Sequence, residues 1–226
     1  TVATAIEGTL KAAGLMGIHM QKANVLILGA TGSIGRVLSL ILSDKGYHLT
    51  LAARNIARLE KASDFITQQT GMVPRITDDI KQAVRNADVI LCVSASVDAL
   101  IEPEDLKPGA LVCDVARPRN VSAEVKKLRK DVLVIEGGVV KVPGNVEFNF
   151  DCGFPRGHSY ACMAETMILA LDEKYENWSL GRELTVAQVS GIAKLAKKHG
   201  FELAGFRSFE RPVTAEEIEA VKQNAR

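Results

Sequence analysis

Between residues 24 and 46 the chain passes from an apolar run, NVLILG, through Gly29-Ala30-Thr31-Gly32-Ser33-Ile34-Gly35 and directly into SIGRVLSLILSDKG, whose apolar positions recur at helical spacing. A short apolar run, a turn with glycine at every third residue and an amphipathic helix make a strand-turn-helix unit. No other feature of the chain restricts its fold as strongly.

The unit is followed by more of the same kind. YHLTLAA (47–53), ADVILCVS (87–94), GALVCDV (109–115) and DVLVIEGG (131–138) read as buried strands, with a weaker one at MVPRI (72–76). Residues 55–69, 78–86 and 122–130 place apolar side chains at helical spacing with charge opposite. About six strands alternating with helices predict an α/β fold, a Rossmann-like, doubly wound and mostly parallel sheet with helices on both faces. The chain of 226 residues reads as one domain, with a leading helix over 1–20, a nucleotide-binding core over 22–140 and a catalytic segment with C-terminal helices over 141–226. It opens at Thr1 on a small-residue helical pattern that reads as if residues precede it.

Composition narrows the class. With 47% apolar and 24% charged residues the chain can bury an ordinary core, and 28 basic against 27 acidic residues leave no long-range field to steer it onto nucleic acid or anionic lipid. No apolar run is long enough for a transmembrane segment and the start lacks a secretory pattern, so the cytoplasm is the expected location; association with a second copy is left open. The four cysteines show no metal-ligand spacing and are expected to be reduced thiols, with no metal site; Cys92 and Cys113 fall inside strand patterns and read as core, and Cys152 is undecided.

After Gly138 the texture changes. VVKVPGNVEFNFDCGFPRG reads as an extended crossing segment, residues 158–176 as a helix, and Thr185 opens a further helix with a T-x-x-Q capping box and Gly200 as its stop. These two helices are expected to pack on the sheet or on residues 2–17. The end, FRSFERPVTAEEIEAVKQNAR, reads as a solvated terminus, with a short helix after Pro212 as the alternative.

The turn Gly29, Thr31, Gly32, Ser33, Ile34, Gly35 suits a dinucleotide. Glycines permit a tight turn and a close backbone approach to a pyrophosphate, and the helix start offers free N–H groups and a positive dipole. The competing reading is a merely structural turn. Where a carboxylate would select NAD, the second strand ends Ala53-Arg54-Asn55, and Arg54 with Arg58 could clamp a 2′-phosphate, which favours NADP; two solvated arginines at a helix start are the alternative. The nicotinamide would then lie near Ser94, Ala95 and Ser96, near Asp114-Val115-Ala116 and near Gly137 and Gly138, where paired glycines would let the ring approach the backbone.

Cys162 falls in the first turn of the helix that follows PRGHS (155–159), where unpaired N–H groups stabilise a thiolate fit to hold an acyl group as a thioester. Against this, cysteine often only fills space, and Glu165 one turn on would raise the thiol pKa if it faced the same pocket. His158 and Tyr160 are nearby proton carriers or structural residues, and Ser159 could cap the helix.

GATGSIG, AARN, EGGVV, YACMAE, ENWSLGR and KKHGF together resemble the cyanobacterial-type long-chain acyl-[acyl-carrier-protein] reductases over most of residues 2–205. The resemblance implies that a fatty acyl thioester, on acyl carrier protein or coenzyme A, transfers its acyl group to Cys162, and that NADPH reduces it to a fatty aldehyde. The GATGSIG turn and sheet order also resemble the nucleotide domains of shikimate dehydrogenase-like and glutamyl-tRNA reductase-like proteins. Two other readings stay open. One is an NADP-dependent dehydrogenase of a small hydroxy acid, for which Lys141 and Asp114 are the available pieces; the other is a non-catalytic NADP-binding module.

Overall fold

The computed structural model describes residues 1–144, 146–149, 153–181 and 183–225. Six strands, β1 (Val25–Leu28), β2 (Leu49–Ala52), β3 (Arg75–Thr77), β4 (Val89–Cys92), β5 (Leu111–Asp114) and β6 (Leu133–Glu136), pair in parallel in the order β3-β2-β1-β4-β5-β6. This is the doubly wound order, and the strand sequence reverses between β1 and β4. Strands β1, β4, β5 and β6 are buried at every position, as their largely apolar runs require when both faces of a sheet are covered.

Alternate residues of each strand feed two cores. Val25, Ile27, Leu51, Leu91, Cys113 and Ile135 point to one face, where they meet α1 (Val2–Met16), α2 (Ser33–Asp44) and α3 (Ile56–Thr70). Leu26, Leu28, Ile90, Cys92, Val112 and Val134 point to the other, beneath α4 (Ile80–Asn86) and α5 (Ala123–Leu128). Cys92 and Cys113 are thus core residues, each 0% exposed. The leading helix α1 lies against β5, with Ala5, Ala12 and Ala13 fully buried, and stops at Gly17 in the left-handed region.

Beyond Gly138 the chain builds a second, antiparallel sheet that the sequence reading does not contain. β7 (Val139–Lys141) is flanked by β8 (His158–Tyr160) and β9 (Glu202–Leu203). The helix expected over 158–176 is correspondingly shorter: residues 158–160 are extended because they pair with β7, and α6 covers Ala161–Leu171. α7 (Val186–Lys198) does open with the Thr185/Gln188 capping box, and its chain turns at Gly200, φ 76°. It packs on α6, α1 and α2.

The C-terminal stretch is not a solvated end. β10 (Arg207–Ser208) and β11 (Arg211–Pro212) form a hairpin, and α8 (Ala215–Asn224) carries its own Thr214/Glu217 capping box and buries Ile218 against α1. The hairpin is latched to β6 through Glu136, whose carboxylate accepts from Glu210 N at 2.9 Å and from Arg119 at 2.9 Å, while Arg119 also reaches Glu210. No helix among the described residues is long and apolar enough to cross a membrane.

Candidate functional site

The turn after β1 is held by contacts that leave no room for side chains. A Cβ on Gly29, φ 89°, would sit 2.7 Å from Ser94 N and Cα, so the β1 turn and the end of β4 touch backbone to backbone. A Cβ on Gly35 would lie 2.4 Å from Gly29 O, which seats α2 directly on the turn. Gly32 differs: a Cβ there would meet only Gly29 O, at 3.5 Å. Gly32 is the N-cap of α2, no side chain caps it, and the first N–H groups of a helix have no partner within it. The turn is therefore a cradle with open space above a set of unfilled donors, at the point where the strand order reverses, and it fits the pyrophosphate of a dinucleotide.

At the end of β2, Arg54 and Arg58 are exposed and form no ion pair among the described residues. Asn55 serves the fold: its Oδ1 accepts from Arg58 N at 2.9 Å and caps α3. Ser94 N donates to Asn120 Oδ1 at 3.1 Å and Ser94 Oγ accepts from Ser96 N, which fixes the loop after β4; Ala95 is exposed beside them.

Asp114 is spent on the loop after β5. Its carboxylate, 1% exposed, accepts from Ala116 N, Asn120 N and Val121 N at 2.9–3.1 Å. Burial pushes its carboxyl up to about 6, although the three N–H donors and Arg117 favour the charged form. Lys141 lies on β7, in the other sheet, so the structure does not assemble a Lys–Asp pair from these two residues.

Gly137 is half-buried just beyond the carboxyl end of β6. A Cβ on it would lie 2.6 Å from Val115 Cγ2 and 2.9 Å from Cys113 Sγ, so its hydrogen faces the core under α1 and the glycine is required by packing. Gly138, φ 90°, turns the chain into β7, and its carbonyl accepts from Ala161 N at 2.7 Å. That bond ties the start of α6 to the carboxyl end of β6.

Cys162 is consequently exposed in the first turn of α6, at the carboxyl side of the sheet. It lines a cavity of about 390 Å³ together with Ser33 and Ile34 from the first turn of α2, Glu165, Trp178 and Gln188. The Cys162 thiol and Ser33 of the glycine turn, 129 residues apart in sequence, thus share one cavity. Glu165 does face it, and its Oε1 accepts from the Ser179 hydroxyl. The opposite wall is fixed by Trp178, whose Nε1 donates to Gln188 O at 3.2 Å and whose ring covers Gly191, where a Cβ would be 2.8 Å away. Sequence reasoning did not find this wall; its only local signal was the lone tryptophan facing a helical glycine.

The neighbouring proton carriers lie elsewhere. His158 Nδ1 is 3.0 Å from Arg156 O, Tyr160 packs edge-on against Phe154 at 4.5 Å between centroids, and neither lines the Cys162 cavity. Ser159 is buried on β8 and does not cap α6, whose N-cap is Tyr160. Cys152 and Arg182 lie outside the described residues.

Sheet order, cradle and turn define an NAD(P)-binding domain of the oxidoreductase type. Residues 11–136, more than half of the chain, match the family model of shikimate / quinate 5-dehydrogenase, and the chain belongs to that family. It is 30% identical over 209 residues to the aminotransferase PigE of Serratia sp., a match covering 91% of this chain and 24% of that protein. It is 29% identical over 199 residues to the long-chain acyl-[acyl-carrier-protein] reductase of Synechococcus elongatus, covering 84% of this chain and 56% of the reductase. The chain thus spans about half, or less, of the length of these curated relatives. Among solved structures, the nucleotide-binding domain of glutamyl-tRNA reductase from Thermoplasma volcanium is 19% identical at a TM-score of 0.42, covering 59% of this chain and 85% of that one.

Proposed function

We propose that this domain reduces a fatty acyl thioester, carried on acyl carrier protein or coenzyme A, to a fatty aldehyde with NADPH, through a thioester on Cys162. The observation that carries the reading is the exposed Cys162 thiol in the cavity that Ser33 and Ile34 of the dinucleotide turn also line. The similarity to the Synechococcus reductase supports it, because a match covering 84% of the chain includes α6 in its interior, whereas the family model ends at residue 136. A family match over the nucleotide-binding half carries no substrate with it.

On this reading Cys162, as the thiolate, attacks the substrate carbonyl. The new S–C bond replaces the bond to the carrier, which leaves as its thiol. Gly29, Thr31, Gly32, Ser33, Ile34 and Gly35 would hold the pyrophosphate, Arg54 and Arg58 would meet the adenosine 2′-phosphate, and Ser94, Ala95, Gly137 and Gly138 would lie towards the nicotinamide end. Reduced nicotinamide, when bound, supplies the hydride. Collapse at the acyl carbon breaks the S–C bond, frees the aldehyde and returns Cys162 as the thiolate.

Incubation with hexadecanoyl-coenzyme A should add one acyl group to the intact mass of the protein and none to Cys162→Ala, and NADPH should discharge that group as hexadecanal. An adduct that persists in Cys162→Ala, or one that NADPH does not discharge, overturns the reading.

A further inference from the structure

A second cavity adjoins the one that holds Cys162. It measures about 470 Å³ and runs between α1, α6, α7 and the β7/β9 edge, and the two cavities share Thr1, Ala3, Glu165 and Ile192 as common wall. Its floor is apolar. Val140, Ala161, Ala164, Ile168 and Phe201 are all buried and belong to a hydrophobic cluster separate from the two cores of the main sheet.

The groove exists because small residues face each other. α6 and α7 approach with alanines at 161, 164, 193 and 196, where larger side chains would interdigitate and close the space. α6 itself, ACMAETMILAL, carries a single charged residue, Glu165, which stands at the boundary of the two cavities. Charges reappear only away from the floor, as Glu7, Lys11, Lys197 and Glu202. Along α6 the groove runs from Ala161 to Ile168, about 10 Å.

We infer that this groove holds the hydrocarbon chain of an acyl group attached to Cys162, and that it sets the preference for chain length. The inference rests on the proposed thioester chemistry and adds the place where its substrate is recognised. A methylene chain gains from such a floor at every carbon, by about fourfold in binding per buried methylene. A pantetheine arm does not, since its amides would lose their water against side chains that offer no hydrogen-bond partner. A short polar acid would leave the floor wet.

The test uses acyl-N-acetylcysteamine thioesters, which keep only the cysteamine end of the pantetheine arm, from C4 to C16, with acylation of Cys162 followed by intact mass in the absence of nucleotide. The wild-type rate should rise with chain length, to at least tenfold faster at C16 than at C4. Ala196→Phe, which places a ring in the groove from a half-buried position, should collapse that C16/C4 ratio towards one, and the ratio separates a blocked groove from a generally damaged protein. A C16 thioester with a terminal diazirine should photolabel Ile168, Ala196, Phe201 or their neighbours in the wild type. A wild-type ratio near one, a ratio that Ala196→Phe leaves unchanged, or photolabel confined to other surfaces overturns the groove while acylation of Cys162 still stands. If no thioester of any length acylates Cys162, the thioester chemistry falls and the groove assignment falls with it.

Discussion

Replacing Gly35 with alanine puts a methyl carbon 2.4 Å from Gly29 O and 2.8 Å from Ala30 Cα, both backbone atoms that cannot swing aside. Overpacking of this kind costs about 1–3 kcal/mol, and two contacts below 3 Å place it at the upper end. Because Gly35 is inside α2, the better helix propensity of alanine returns about 1 kcal/mol, leaving a net loss of about 2 kcal/mol. For a chain of this size that is a fall in Tm of about 4–8 °C. Gly32→Ala is the contrasting case. Its backbone, φ −78° and ψ 167°, is open to alanine and its nearest neighbour would be 3.5 Å away, so the fold loses only the glycine preference at the N-cap, at most about 1 kcal/mol. The methyl group would instead stand over the free N–H groups. Losing one charge-assisted hydrogen bond to a phosphate is worth about 1.5–3 kcal/mol, or roughly ten- to a hundredfold in Kd. Urea unfolding and calorimetric titration with NADPH on the two variants separate the effects. A Gly32→Ala protein that binds within threefold of wild type would refute the placement of the pyrophosphate, and a Gly35→Ala protein as stable as wild type would refute the packing argument.

Arg54→Ala should weaken NADPH binding about tenfold while changing NADH binding less than twofold, and the difference should shrink as salt rises, because the site is exposed; equal losses for the two nucleotides would remove Arg54 from 2′-phosphate recognition. Asp114 gives the chain a pH signature. Its carboxyl is pushed from an ordinary 3.8 up to about 6, so the folded state binds this proton more tightly than the unfolded one, and the group's contribution is full below about pH 4 and lost as pH rises through about 6. The whole effect is about 3 kcal/mol. Asp114→Asn should remove that slope from urea melts between pH 4 and 7 and, by setting an amide NH₂ against backbone N–H donors, lower stability at pH 7 by about 1–3 kcal/mol; an unchanged slope would assign the titration to another group.

Much of the nucleotide-binding half was legible because its signals are local. Apart from β3, the strands of the main sheet are buried and mostly apolar runs, the helices between them repeat apolar residues at helical spacing, and the glycine turn sits where strand gives way to helix. The misreadings came where pairing is distant. Residues 158–160 carry no mark of a strand; they become one because Val139 and Val140 arrive alongside to accept them. The C-terminal hairpin looked solvated because its charges balance along the sequence, yet Glu136 and Arg119 recruit Glu210 from 74 and 91 residues away.

The sequence by itself determined the order of strands and helices in the main sheet, the glycine turn and the presence of a thiol at a helix start, all of which follow from hydrophobic periodicity and backbone preferences within a few residues. Only the tertiary structure decided what that thiol faces. Gly137 turned out to belong to the packing under α1, and Gly138 O, by holding Ala161 N, brings Cys162 to the edge of the cavity lined by Ser33 and Ile34. The direction in which a side chain or a glycine hydrogen points is set by the partners that the fold delivers, and those partners lie more than twenty residues away in each case.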